Sequence, residues 1–201
     1  MLEEINVLRT RPAVYIAHLQ DYLKRTSVLG QLAIPGCEYA IQLDEGKAVI
    51  QEALAFLRKQ KTKLEPLNWN AQLEMAANEH YEDIAPKGRT SHMSSDGVST
   101  FKERIERHCS WGGAIFEAIL YGLEKPQAKD VVLAWLIDDG FPKRPHRKNL
   151  MMPEHRHFAL ASGPHASATY CYIALFAAQI VGKQLEKKPE TAGEPQAQIY
   201  R

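Results

Sequence analysis

The chain has 201 residues, 45% of them hydrophobic and 24% charged, with a formal charge of +1. That size and apolar share suit one globular domain with an ordinary core, and near-neutrality excludes the strong basic excess of an electrostatic nucleic-acid binder. No apolar run reaches the roughly 18 residues of a transmembrane helix, and the three cysteines, Cys37, Cys109 and Cys171, hold no CxxC pair, which argues against a disulfide framework or a zinc finger.

The opening "MLEEINVLRTRP" lacks the basic and apolar regions of a secretory signal. As written, it predicts an intracellular protein; had a signal been removed, a secreted protein would read the same. Apolar spacing at Ile5, Leu8, Val14, Tyr15, Leu19, Tyr22 and Leu23 predicts helix, with Pro12 kinking it or starting a second one. Residues 26–44 read as irregular. "EGKAVIQEALAFLRKQ" restores the helical period, with cations at its end where the helix dipole favours them. In "LNWNAQLEMAANEHYEDIA", Asn68 or Asn70 is placed to cap a helix whose inner face reads Leu73, Ala76, Ala77, Tyr81 and Ile84.

A polar stretch, "RTSHMSSDGVS", leads to the short helical pattern "TFKERIERH". "GGAIFEAILYG" reads as a strand bounded by glycines. Pro126 opens a helix with Val131, Val132, Trp135 and Leu136 inward. "HFALAS" and "ATYCYIALFAAQIV" read as a terminal hairpin around "GPHAS". Residues 183–201 are polar with two prolines and read as a flexible, solvated tail, with docking onto a partner as the alternative. The order predicts an α+β fold in which helices cover a small antiparallel sheet.

Of the eight histidines, His18, His80 and His108 read as helix-surface or core-edge groups and His165 as a polar turn residue. His155 and His157 alternate as strand neighbours do, so a two-ligand metal clip is open to them. His92 and His146 lie in polar loops between elements, where functional groups concentrate. Glu117 sits within an apolar strand, so it requires exposure or a buried partner. Asp138 stands at a helix C-terminus, where its charge opposes the dipole and calls for a nearby cation or donor.

At these residues the chain resembles the CAP superfamily of cysteine-rich secretory proteins, antigen 5 and pathogenesis-related 1 proteins, with its bacterial SCP-like domains. "SHMSSDGVSTFKERI" resembles the family's His-xxx-Asp-Gly segment and Arg-bearing helix, and "WLIDDGFPKRPHRKNL" its Trp-helix and His-Arg-x-Asn-Leu signature. The likeness covers roughly residues 2–180, leaving out an inserted helix near 46–60, and so implies one domain over residues 1–182. It implies a three-layer α-β-α sandwich with a three-stranded antiparallel sheet. It also implies a cleft where His92, Glu117, Asp138 and His146 hold Zn2+ or another divalent cation, rimmed by Ser91, Asp139, Arg147 and Asn149. Phe116 and Ala118 replace the usual Gly and Asn around the strand glutamate, and Asp139 competes with Asp138 for the inward place.

The resemblance implies a non-catalytic binding module for a protein partner or a small ligand, with no nucleic acid expected. A lipid- or sterol-binding protein is one alternative. Metal-assisted hydrolysis with Glu117 as general base is another. A serine mechanism would draw on Ser91, Ser94 or Ser95, but no GxSxG elbow is present. The basic run "FPKRPHRKN" predicts that anions are drawn toward His146 and added metal is partly repelled.

Overall fold

A computed structural model describes residues 1–60, 62–123 and 126–182; the predicted tail at 183–201 lies outside these. Helix α1 (Leu2–Thr10) gives way to α2 (Pro12–Arg25), with Pro12 at the first helical position. There its missing N–H costs nothing, so a second helix starts rather than a kinked one continuing. The stretch read as irregular holds a two-stranded ladder, β1 (Gln31–Leu32) against β2 (Ile41–Gln42). The inserted helix is α3 (Lys47–Arg58).

Asn70, not Asn68, caps α4 (Ala71–Ile84): its Oδ1 accepts from the Gln72 and Leu73 amides at 3.0 Å each. Asn68 lies instead in β3 (Asn68–Trp69). Thr100 and Glu103 form a capping box on α5 (Phe101–His108). Strand β4 (Cys109–Tyr121) is longer than its glycine-bounded core suggested. Helix α6 (Ala128–Ile137), capped by Gln127, is buried almost all round, and a short α7 (Pro145–Leu150) follows. The hairpin is β5 (His157–His165) and β6 (Thr169–Gly182).

The main sheet runs β3-β5-β6-β4. Its three long strands are antiparallel as expected, and β3 adds a fourth, two-residue strand parallel to β5. Alternate residues face opposite layers. Ala118, Phe158, Ala174 and Phe176 join a core with α1, α2, α3 and α6, while Ala159, Ala161, Ile173 and Leu175 join a second core with α4 and α5. This is the α-β-α sandwich. Strand β4 is the outer edge, so groups from both helical layers can meet beside it.

Several polar groups tie the layers together. Arg9, fully buried, donates to the carbonyls of Glu65, Leu150, Met152 and His155 at 2.8–3.2 Å. His165 is not a mere polar turn residue. It is buried, its Nε2 bonds the Arg89 carbonyl at 3.0 Å, and its Nδ1 accepts from the Ser167 and Ala168 amides. On α4, His80 rather than Tyr81 takes the inner face with Leu73, Ala76, Ala77 and Ile84. Among the described residues no disulfide joins the three cysteines. No described helix is long and apolar enough to cross a membrane.

Candidate functional site: two acid–imidazole pairs and an apolar cavity

Glu117 follows Phe116 on β4 and so points to the α4–α5 layer. There it is buried, with both oxygens engaged. Oε1 lies 2.8 Å from His92 Nδ1, and Oε2 accepts from Arg104 at 2.7 Å. Arg104 also donates to the His92 carbonyl at 3.0 Å, which fixes the loop that carries the imidazole. His92 itself has a side chain 56% exposed, so this ring presents its far nitrogen to solvent. Behind it, fully buried His80 bonds the Ser91 carbonyl at 2.9 Å, and its Nδ1 has no partner. Burial lowers the His80 pKa below the usual imidazole range.

On the other side of β4, Phe116 meets His146 edge-on at 5.9 Å between ring centres. The turn between α6 and α7 is built around Asp138, which ends α6 in the left-handed region at φ 58°. That conformation suits Asp better than most residues. It aims Oδ1 at His146 Nδ1, 2.7 Å away, and Oδ2 at the Arg147 amide, 3.1 Å away. His146 lies within α7 and is largely buried, not in an open polar loop as expected.

The donors that Asp138's position called for are present. Arg147 bonds the carbonyls of Leu136 and Ile137 at 2.7 and 2.6 Å, and Arg144 bonds that of Asp138 at 3.1 Å. These cations satisfy carbonyls that the helix end leaves open.

The predicted rim residues mostly serve the scaffold. Arg147 is buried, and with Arg144 it pairs with Glu52 on α3. Arg144 and Arg147, two of the run's four cations, are thus paired with acids, while Lys143 and Lys148 are exposed. Asp139 accepts from the Asp44 and Glu45 amides at 2.7 and 3.0 Å. Asn149 bonds the Pro145 carbonyl and, at 3.3 Å, His155 Nε2. Ser91 bonds the Tyr121 hydroxyl through its amide, and its own hydroxyl accepts from Met93. Ser94 and Ser95 bond Asp96 and Asp83. None of these serines bonds His92, as a serine mechanism would require. His155 packs its ring on Phe176, 5.7 Å away, rather than forming a clip with His157.

A cavity of about 390 Å³ opens beside the second pair. Its walls are Leu32, Ile34, Ile41 and Leu43 from the segment before α3, Ile119–Leu123 from the end of β4, and Trp135 and Phe141. Asp138 and His146 border it; His92 and Glu117 do not. The buried indole N–H of Trp135 has no partner. Sequence reading missed this cavity because its far wall comes from the segment read as irregular.

The donor set accommodates a divalent cation only in a restricted way. Each imidazole is held through Nδ1 by its own carboxylate, which leaves Nε2 as the ligating atom. This is the carboxylate–histidine arrangement seen around metal-bound rings. Held this way, Glu117 and Asp138 would orient the rings around a bound ion, where the family resemblance implies four shared ligands. Among the described residues no group of three or more His, Cys, Asp or Glu is placed to hold an ion.

The model of the cysteine-rich secretory protein (CAP) family matches residues 2–179, and the chain belongs to that family. No curated protein matches it. Among solved structures it is similar to an outer surface protein from Borrelia burgdorferi, with a TM-score of 0.48, 20% identity, 63% of this chain and 92% of that one covered. It is also similar to an extracellular protein containing an SCP domain from Bacillus anthracis str. Ames, with a TM-score of 0.46, 19% identity, 64% of this chain and 40% of that one covered.

Proposed function

We propose that this chain is a non-catalytic binding module whose ligand is a small apolar molecule carrying one polar group. The cavity beside the Asp138–His146 pair is its site. The supporting observation is the cavity itself: about 390 Å³, walled by aliphatic and aromatic side chains, with Asp138 and His146 on its border. Ligand sites are typically concave, mostly apolar and furnished with a few convergent polar groups. His146 Nε2 would orient the ligand's polar group.

N-phenyl-1-naphthylamine, a neutral apolar fluorophore, tests this. Titration should give a saturable rise in emission with one site per chain. Ala134→Trp, which fills the cavity from α6, should abolish it while the far-ultraviolet circular dichroism stays unchanged. An undiminished signal in that variant would move the binding elsewhere.

One observation favours a second reading, a divalent cation held by His92 and His146. Both rings have the carboxylate support through Nδ1 that ligating histidines usually have. Catalysis has less support. Glu117, the candidate base, has both oxygens committed to His92 and Arg104 and is nearly inaccessible to water.

A further inference from the structure

The wall formed by residues 31–43 is joined to the rest of the molecule in an unusual way. Its main-chain hydrogen bonds stay local: Ala33 to Arg25, Cys37 to Ile34 and Leu43 to Gly30, together with the β1–β2 ladder and the Thr26–Leu32 bridge. Among the described residues, no main-chain bond from 31–43 reaches the main sheet or α6. The segment's inner side chains, Leu32, Ile34 and Leu43, are buried against the cavity, while Tyr39 at its tip is 74% exposed.

The segment leaves and rejoins the body at a narrow neck. Gly30 and Gly46, both at positive φ (81° and 59°), pack on each other there. A Cβ on Gly30 would lie 3.0 Å from the Leu43 carbonyl oxygen and 3.2 Å from the Gly46 Cα. Only glycine allows that approach in that conformation without strain. Beside the neck sits a polar clasp. Asp139 accepts the Asp44 and Glu45 amides, Glu45 takes both Arg144 terminal nitrogens at 2.6 Å, and the Gly140 amide bonds Glu45 at 3.1 Å.

We propose that residues 31–45 are a lid on the cavity, swinging about the Gly30–Gly46 neck and held shut by the Asp139–Glu45–Arg144 clasp. Three features support it: local main-chain bonding, two touching glycines at the base, and an anchor that is polar and partly exposed. Opening uncovers the apolar wall and gives up the short bonds from residues 31–33 to residues 25–27, but no bond of the main sheet. Because Asp139 and Arg144 flank the turn that carries Asp138 and His146, the clasp fastens the lid to the polar end of the cavity. The role of the lid as a gate rests on the ligand reading above; the hinge itself does not.

The experiment has two arms, both on the full chain with Asp139→Asn and Glu45→Gln. In amide hydrogen exchange without ligand, both variants should speed exchange in residues 31–43 by about fivefold to tenfold, the loss of roughly one charge-assisted hydrogen bond. Exchange in α4, β5 and β6 should stay constant. In stopped-flow mixing with N-phenyl-1-naphthylamine, association and dissociation rates should rise together by a similar factor. Unchanged exchange in 31–43, or faster exchange spread equally through α2 and α6, would overturn the lid. If the unaltered chain gives no fluorophore signal, the ligand reading fails, and exchange confined to 31–43 still supports the hinge.

Discussion

Asp138 Oδ1 stands 2.7 Å from His146 Nδ1, and its other oxygen holds the Arg147 amide. One carboxylate thus ends α6, starts α7 and sets the imidazole that faces the cavity. Asp138→Ala should cost about 2–4 kcal/mol, because two buried donors lose their acceptor. Asp138→Asn keeps an acceptor and tolerates the left-handed backbone, so it should cost about half as much. Urea denaturation of both variants checks the order; equal losses would mean that backbone strain, not the hydrogen bonds, governs the site.

Across β4, Glu117 and Arg104 form an ion pair with side chains only 1% and 2% exposed. Glu117→Gln leaves a buried guanidinium without its counter-charge, which should destabilise the fold by about 3–5 kcal/mol. Adding Arg104→Met should recover much of the loss. A double-mutant cycle by chemical denaturation measures the coupling, and additive losses would show that the pair acts only by packing.

If the two imidazoles share an ion, zinc should bind one per chain by isothermal titration. His92→Ala and His146→Ala should each abolish the heat. Binding that survives either single change would assign the ion to one ring, or to neither.

His155 makes the fold sensitive to acid. Burial, and then the charge of Arg9, hold its pKa at about 4 against an ordinary 6.5. The unfolded chain therefore takes up a proton that the folded chain refuses. Stability is fully present above about pH 6.5 and falls as pH drops toward 4, by up to about 3 kcal/mol from this residue. Subtracting the pH profile of His155→Gln from that of the unaltered chain should isolate this loss. A flat difference would mean that His155 gains its proton without unfolding. His80, also lowered by burial, works in the same direction.

The helices and the hairpin were legible because amphipathic spacing and caps are local signals. Pro12, Asn70 and Thr100–Glu103 each mark a start that the structure uses. The pairing of His92 with Glu117 and His146 with Asp138 was within reach of the family resemblance, but the division of labour inside each pair was not. Which oxygen meets which nitrogen depends on rotamers set by residues far away in the chain. His80 and Arg9 were misread or passed over although both lie on the buried stripe of their helices, one turn from Ala76 and Ile5. Position on the stripe, rather than residue type, was the usable signal. The cavity and its wall left no trace, since residues 26–46 have no periodicity and take their shape from local bonds.

The reach of Arg9 also bears on how the molecule is assembled. Its carbonyl partners lie 56, 141, 143 and 146 positions further along. During synthesis α1 emerges well before residues 150–155, and until they follow, three of Arg9's four carbonyl partners are missing and its guanidinium must stay hydrated. Closing loops of that span is slow, so α1 is locked in place only after residues 150–155 have joined the fold.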